Sequence, residues 1–345
     1  MANAPAVIQE PHASIFGLPE EEERLIKGLV AKGVVGSATY PLVCCKTLIQ
    51  LGHEPFPLST GKVWLCAGRD AYFLPNLFSY ASQLKDAKGW ASLFTGLDSA
   101  IVKLVVEALA THFTSKYIDK HYEELGGPAE NLDIEERDLD DSRSFRRKLR
   151  LFIRDSFVRV IAVTASRPLT VAMVRQIAQM IGNETKYGTC VQAVKHIGTE
   201  EGPAGLFAGL VPQIIGEVLV LAGIHGFTFL AERTIFHIGM YENQDEKSQK
   251  EVREVRRFVD LAIPFVVQAH GYPYQVVSTV MAVAGSGLAV SFLPYSPAFL
   301  TWQSAWDYLR PHGLKRGARM FLREQTGAVT VGVDQQLYAS NKYFA

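Results

Sequence analysis

Cysteine is scarce in this 345-residue chain, and what there is stays unpaired. Cys44, Cys45, Cys66 and Cys190 form no CxxC pair and show no even spacing, which excludes a disulfide framework and a sulfur-bound zinc site. The histidines are scattered, with no two one helical turn apart beside a carboxylate, so no metal is expected. Neither sign of charge is in excess: 35 Lys and Arg balance 35 Asp and Glu. That balance leaves no electrostatic drive toward nucleic acid. The N-terminal segment lacks the basic start and apolar core of a secretory signal, and Glu20 to Glu23 are foreign to a basic presequence. Any organelle address is expected inside the mature chain. No phosphate-binding glycine loop, nucleophile elbow, Cys/His pair or paired catalytic carboxylates stand out. The chain is therefore not expected to be an enzyme, and no cofactor is expected.

Uninterrupted hydrocarbon is missing too. The mean hydropathy is only slightly positive, high for a soluble protein and low for a bundle bathed in lipid. Five stretches, 24–50, 91–118, 152–181, 207–235 and 258–285, still reach the roughly 20 residues needed to cross a bilayer. Each is broken by Gly, Pro or an ionisable residue, which neighbouring helices can tolerate in a membrane. Two charged stretches, 119–150 and 241–257, read as solvated loops, the second partly helical. The first turns from acidic at Glu135-Glu136 to basic at Arg146-Arg147-Lys148.

Self-similarity is the strongest signal. Tyr40-Pro41-Leu42-Val43-Cys44-Cys45-Lys46, Arg167-Pro168-Leu169-Thr170-Val171-Ala172-Met173-Val174-Arg175 and Tyr272-Pro273-Tyr274-Gln275-Val276-Val277-Ser278 recur about every hundred residues. Pro41, Pro168 and Pro273 are each expected to kink a helix, because proline lacks an N–H and clashes one turn back. Downstream of the first two lie Gly89-Trp90-Ala91-Ser92-Leu93-Phe94-Thr95-Gly96-Leu97 and Gly202-Pro203-Ala204-Gly205-Leu206-Phe207-Ala208-Gly209-Leu210. Gly313-Leu314-Lys315-Arg316-Gly317 is a blurred third copy.

This order of kinked odd helix, amphipathic linker and glycine-led even helix resembles the mitochondrial carrier family over about 24–323. The resemblance implies an all-α membrane protein of three divergent repeats of kinked helix pairs. The implied units are a polar segment 1–23, repeats 24–118, 151–240 and a truncated 258–323, charged loops 119–150 and 241–257, and a tail 324–345. Carriers place an acidic residue two positions, and a basic residue five positions, after each proline, and these charges pair to close a gate. Here the acidic positions hold Val43, Thr170 and Gln275, and the basic ones Lys46, Met173 and Ser278. One charge of six remains, so no such gate ring can form. After Gly317 only 28 residues remain, and Asp334, Gln335, Gln336, Asn341 and Lys342 interrupt them, so a sixth spanning helix does not fit comfortably, and Pro294 and Pro297 mark 288–309 as an interfacial segment. Five helices of a six-helix barrel would leave it open laterally.

Together with Leu210-Val211-Pro212-Gln213-Ile214-Ile215-Gly216-Glu217 and Pro294-Tyr295-Ser296-Pro297, these departures resemble the mitochondrial carrier homologue family. That resemblance implies a multi-pass protein of the mitochondrial outer membrane that inserts tail-anchored or other α-helical proteins into the bilayer. It also implies a link to apoptosis through a BH3-only protein, and lipid scrambling.

Ionisable groups inside a membrane normally face a bundle interior or a wet cavity. On the first helix Gly28, Lys32, Gly36, Thr39, Val43, Lys46 and Gln50 share one face. The second carries Asp98, Lys103 and Glu107, the third Asp155, Arg159, Arg167 and Arg175, and the fourth Gln213, Glu217 and His225. All are candidates to line a hydrophilic groove. The plain alternative is that Lys103–Glu107 and Asp155–Arg159 are local i, i+4 pairs, that Lys32 snorkels to headgroups, and that His225 is structural. Glu217 and Lys46 fall in the middle of apolar runs and fit that alternative least. The groove reading gives an insertase. The competing readings are a solute carrier with a rewired gate, using Arg167 and Arg175 as anion ligands, a lipid scramblase, and a docking receptor whose acidic loop does the work.

Overall fold

The computed structural model describes residues 19–63, 68–127, 139–238, 246–291, 299 and 301–340. Within them, Cα trace and hydrogen bonding define α1 (Glu20–Leu51), β1 (Ser59–Lys62), β2 (Asp70–Leu74), α2 (Leu77–Lys88), α3 (Leu97–His121) and α4 (Asp141–Ala178). There follow α5 (Cys190–Glu200), α6 (Gly202–Leu206), α7 (Leu210–His237), α8 (Glu246–Val283), α9 (Trp302–Leu309), β3 (Arg323–Gln325), β4 (Val329–Val331) and β5 (Leu337–Ala339). The fold is all-α in its bulk, as expected. The segments around α1, α4 and α7 are long and apolar enough to cross a membrane. Helices α3 and α8 have the length, at 25 and 38 residues, but are not among the segments that are also apolar enough. No sixth long helix follows α8 among the described residues. In its place stand the eight-residue α9 and three short strands.

Helix α3 packs along α4, α4 along α7 and α7 along α8, while α1 touches α3, α4 and α8. The proline-bearing helices run on through Pro41, Pro168 and Pro273. One contact recurs three times and fixes the geometry. The residue before each proline donates to the carbonyl that precedes a left-handed glycine: Tyr40 to Thr95 at 2.8 Å, Arg167 to Ala208 at 2.8 Å and Tyr272 to Arg316 at 2.5 Å. The three glycines, Gly96, Gly209 and Gly317, have φ of +84°, +68° and +72°. A Cβ on each would come within 2.9, 2.6 and 3.0 Å of that same donor side chain. Only glycine accepts both the conformation and the approach. Gly317 also abuts Ile49 of α1, which closes the ring at this end.

A second element repeats with it. Of the linker helices α2, α5 and α9, α2 and α9 are started by side-chain caps from Asn76 and Thr301, and at the start of α5 the Gln192 side chain accepts the Thr189 N–H at 3.1 Å. They cover the end where the C-terminal halves of α1, α4 and α8 meet. The main core lies there, around Tyr40, Leu48, Val171, Ile177, Ala282 and Leu288.

Four expectations are corrected. The stretch 141–150 belongs to α4 rather than to a loop, because Arg150 and Arg154 donate to the carbonyls of Gly127 and Tyr122 just beyond α3. Those contacts satisfy a helix end and favour cations there. Likewise 246–257 is the start of α8. The spans expected to begin at 91 and 207 begin at Leu97 and Leu210, after the left-handed glycines, and the third ends at Ala178. Finally, 324–340 is no loose tail. β3 pairs antiparallel with β2, which pairs with β1, and β4 pairs with β5. Buried Arg323 reaches Glu54 and the Pro75 carbonyl, tying the end of the chain to the linker after α1. Burial pushes the Glu54 carboxyl up to about 7, against the downward pull of Arg323. Cys66, the acidic run 135–138, and Pro294 and Pro297 lie outside the described residues.

Candidate polar groove

Three helices bring charge to one place. Arg159, midway along α4, donates to Glu217 of α7 at 3.1 Å and to Glu107 of α3 at 2.5 Å. Lys103, one turn before Glu107, is within electrostatic reach of Glu107, Arg159 and Glu217. Two cations and two carboxylates therefore offset one another in one cluster. Its members are only partly exposed, so they are neither solvated surface nor sealed core. Phe157 and Ile161, two residues to either side of Arg159, are exposed. A two-residue step turns a helix by about 200°, so the apolar surface looks away from the charges. Arg159 occupies the inner face, flanked by both neighbours.

The cluster is one rung of a ladder along the antiparallel pair α4 and α7. Arg167 donates to Gln213 at one end. Asp155 meets His225 at 3.0 Å, Lys148 meets Glu232 at 2.8 Å, and Asp141 meets Arg233 at 3.1 Å and His237 at 3.2 Å. Each step follows helical periodicity, so one face of each helix carries every rung. Beside the middle rungs Phe145, Leu149, Phe152 and Phe229 line a shallow pocket, so apolar and charged surface run in parallel. Sequence reading missed Lys148, Glu232, Arg233 and Asp141. Their spacing from Arg159 and Glu217 was visible, but assigning 119–150 to a loop hid it.

The other candidates separate into three groups. Lys46 sits over the Tyr272 ring, 4.9 Å from its centroid. Gln50 is buried, accepting from Thr279 at 3.2 Å and donating to Tyr272 at 3.1 Å. These two close α1 onto α8. Asp98 accepts the Cys190 N–H at the start of α5 and a weak bond from Gln176 at 3.4 Å. Arg175 is wholly buried, bonded to the Ala282 carbonyl, Tyr187 and Glu201. Both belong to the packed end, and Arg167 joins them through the Ala208 and Ser278 carbonyls. Lys32 stands alone on exposed α1 surface.

The N-terminal half of α1 differs from everything else. Its polar stripe of Lys32, Gly36 and Thr39 is exposed, and so are Val30 and Val34 on the reverse face and Val35 between. A Cβ at Gly28 or Gly36 would meet nothing within 4 Å. On the corresponding half of α8, Phe258, Leu261 and Phe265 are exposed.

Comparison with known proteins agrees with this architecture. The mitochondrial carrier protein family matches residues 150–233, a segment that takes in most of α4 and α7. Mitochondrial carrier homolog 2 of Homo sapiens is 32% identical over 285 residues, 82% of this chain and 89% of that protein. The Mus musculus protein of the same name is 31% identical over the same shares, and mitochondrial carrier homolog 1 of Mus musculus is 30% identical over 84% of this chain and 74% of its own length. Family and helices together make this a mitochondrial membrane protein, and the chain belongs to the mitochondrial carrier homologue family.

Proposed function

We infer that this protein inserts α-helical proteins, tail-anchored ones foremost, into the mitochondrial outer membrane. The observation that carries this reading is the mid-helix cluster Lys103–Glu107–Arg159–Glu217 on the inner face of a bundle whose α1 leaves its polar stripe uncovered.

A charged residue at the centre of a membrane helix costs about 2.5–3.5 kcal/mol on insertion scales, and a client with a polar flank must take that flank through about 30 Å of hydrocarbon. A groove whose charges sum to zero offers partners of either sign to such a flank. The missing cover between α1 and the start of α8 lets the client's apolar segment leave sideways into lipid while the flank travels along the α4–α7 ladder. No cofactor takes part, because the gain in solvation supplies the drive.

The test is insertion of a radiolabelled tail-anchored protein into proteoliposomes holding the purified protein, wild type or Glu217→Arg. Wild-type insertion well above empty liposomes, altered in a folded variant, is the expected result. Insertion no better than empty liposomes sinks the reading, and saturable exchange of a small anion in the same vesicles would favour a carrier instead.

A further inference from the structure

The chain after Gly317 behaves unlike its two counterparts. Gly96 and Gly209 are each followed at once by a long helix, α3 from Leu97 and α7 from Leu210. Gly317 has the same left-handed conformation and the same contact from the residue before the proline. Yet the chain then makes an irregular turn, Ala318-Arg319-Met320-Phe321-Leu322, before entering β3.

That turn is apolar and uncovered. Met320, Phe321 and Leu322 are 44%, 68% and 67% exposed, and Phe78 at the start of α2 adds 55%. The patch is built rather than loose. The Leu77 N–H donates to the Met320 carbonyl at 2.9 Å, the Phe78 and Phe321 rings lie 6.1 Å apart, and Leu322 is held outward because Arg323, next along the strand, points in to Glu54. Lys315 and Arg319, both exposed, border it.

We propose that residues 315–322, with Phe78, form a monotopic membrane anchor that dips into one leaflet where the sixth helix would start, its cations meeting anionic lipid headgroups. Two features select lipid as the occupant. The equivalence of Gly317 with Gly96 and Gly209 sets the patch at the level where α3 and α7 start. Exposed cations, Lys315 and Arg319, beside large exposed apolar side chains suit an anionic bilayer interface, which takes up both. The anchor holds the end of the third repeat at the bilayer, where no long helix follows Gly317 among the described residues.

The full-length protein, carrying a diazirine amino acid in place of Phe321, is reconstituted in phosphatidylcholine vesicles with and without an anionic phospholipid, irradiated, and its adducts read by mass spectrometry. Phospholipid adducts are expected, with the anionic species enriched several-fold over its share of the mixture. Lys315→Glu with Arg319→Glu is expected to abolish that enrichment and keep the zwitterionic adducts. Adducts with water alone, or with a second copy of the chain, overturn the anchor. Unchanged anionic enrichment in the double variant overturns the role of the cations.

Discussion

The two halves of the proline-bearing helices obey different rules. From the prolines onward α1, α4 and α8 converge, and most side chains there are buried: Leu48, Val171, Ile177 and Val276 show essentially no surface. Before the prolines α1 stands apart, with valines exposed on one face and a polar stripe on another. The packed half repeats one contact three times around a ring. The open half repeats nothing, since α4 and α7 are laced by charge while α1 is laced to neither. Here the packed end keeps the repeat's architecture, and departure from it is concentrated where α1 lacks cover.

That contrast can be broken from the packed side with the largest effect. Gly209→Val puts a Cβ 2.6 Å from both Arg167 and the Ser278 carbonyl at a φ of +68°. Strained backbone and overpacking together are expected to cost about 3 kcal/mol or more, read as loss of a folded species in detergent by thermal unfolding. Next comes the ladder. Arg159→Met takes from Glu107 and Glu217 the guanidinium that bonds both and leaves Lys103 as the remaining cation of the cluster. Broken buried pairs cost about 3–5 kcal/mol. With about a third of the Arg159 side chain exposed, the expected loss is on the order of 2 kcal/mol, and adding Glu217→Gln should recover part of it.

A pH effect of smaller size belongs to the packed end. Burial, with Lys88 nearby, pushes the His53 imidazole down to about 4. A folded-state value below the unfolded one means that protonation favours unfolding. The stability contributed by neutral His53 is full above about pH 6.5 and is lost as pH falls toward 4. Because the ring keeps some solvent contact, about 1–2 kcal/mol is expected over that window, and His53→Gln should flatten the melting temperature between pH 7 and 4.5. The smallest effect sharpens the comparison from the open side. Gly36→Ala meets nothing within 4 Å, so it should leave stability unchanged or raise it by up to about 1 kcal/mol through helix propensity.

Much of the fold was legible because its signals are local. The three proline motifs and the five apolar stretches locate α1, α3, α4, α7 and α8 but miss the first eleven residues of α4 and the first twelve of α8, and Glu217 stands out by being alone in an apolar run. What stayed hidden depends on pairing across the chain. Arg167 and Arg175 look like groove ligands in sequence, but besides side-chain partners each is held by a backbone carbonyl, 41 and 107 positions away, which no spacing reveals. The strand β3 has three residues and pairs with one 250 positions earlier in the chain, too short to show an alternating pattern. The blurred third motif hid its one preserved feature, a glycine preceded by an available carbonyl, because the surrounding side chains had changed.

The open half is where the work is assigned, and a client can report on it directly. A tail-anchored protein bearing a photoreactive residue within its membrane segment is arrested during insertion into proteoliposomes, irradiated, and its adducts on this protein mapped by mass spectrometry. The account predicts adducts on the α1 stripe around Lys32 and Thr39, on the inner face near Glu107 and Glu217, and on the α8 edge at Leu261 and Phe265. Adducts confined to the outward face at Phe157 and Ile161, or none above a vesicle lacking the protein, would contradict it.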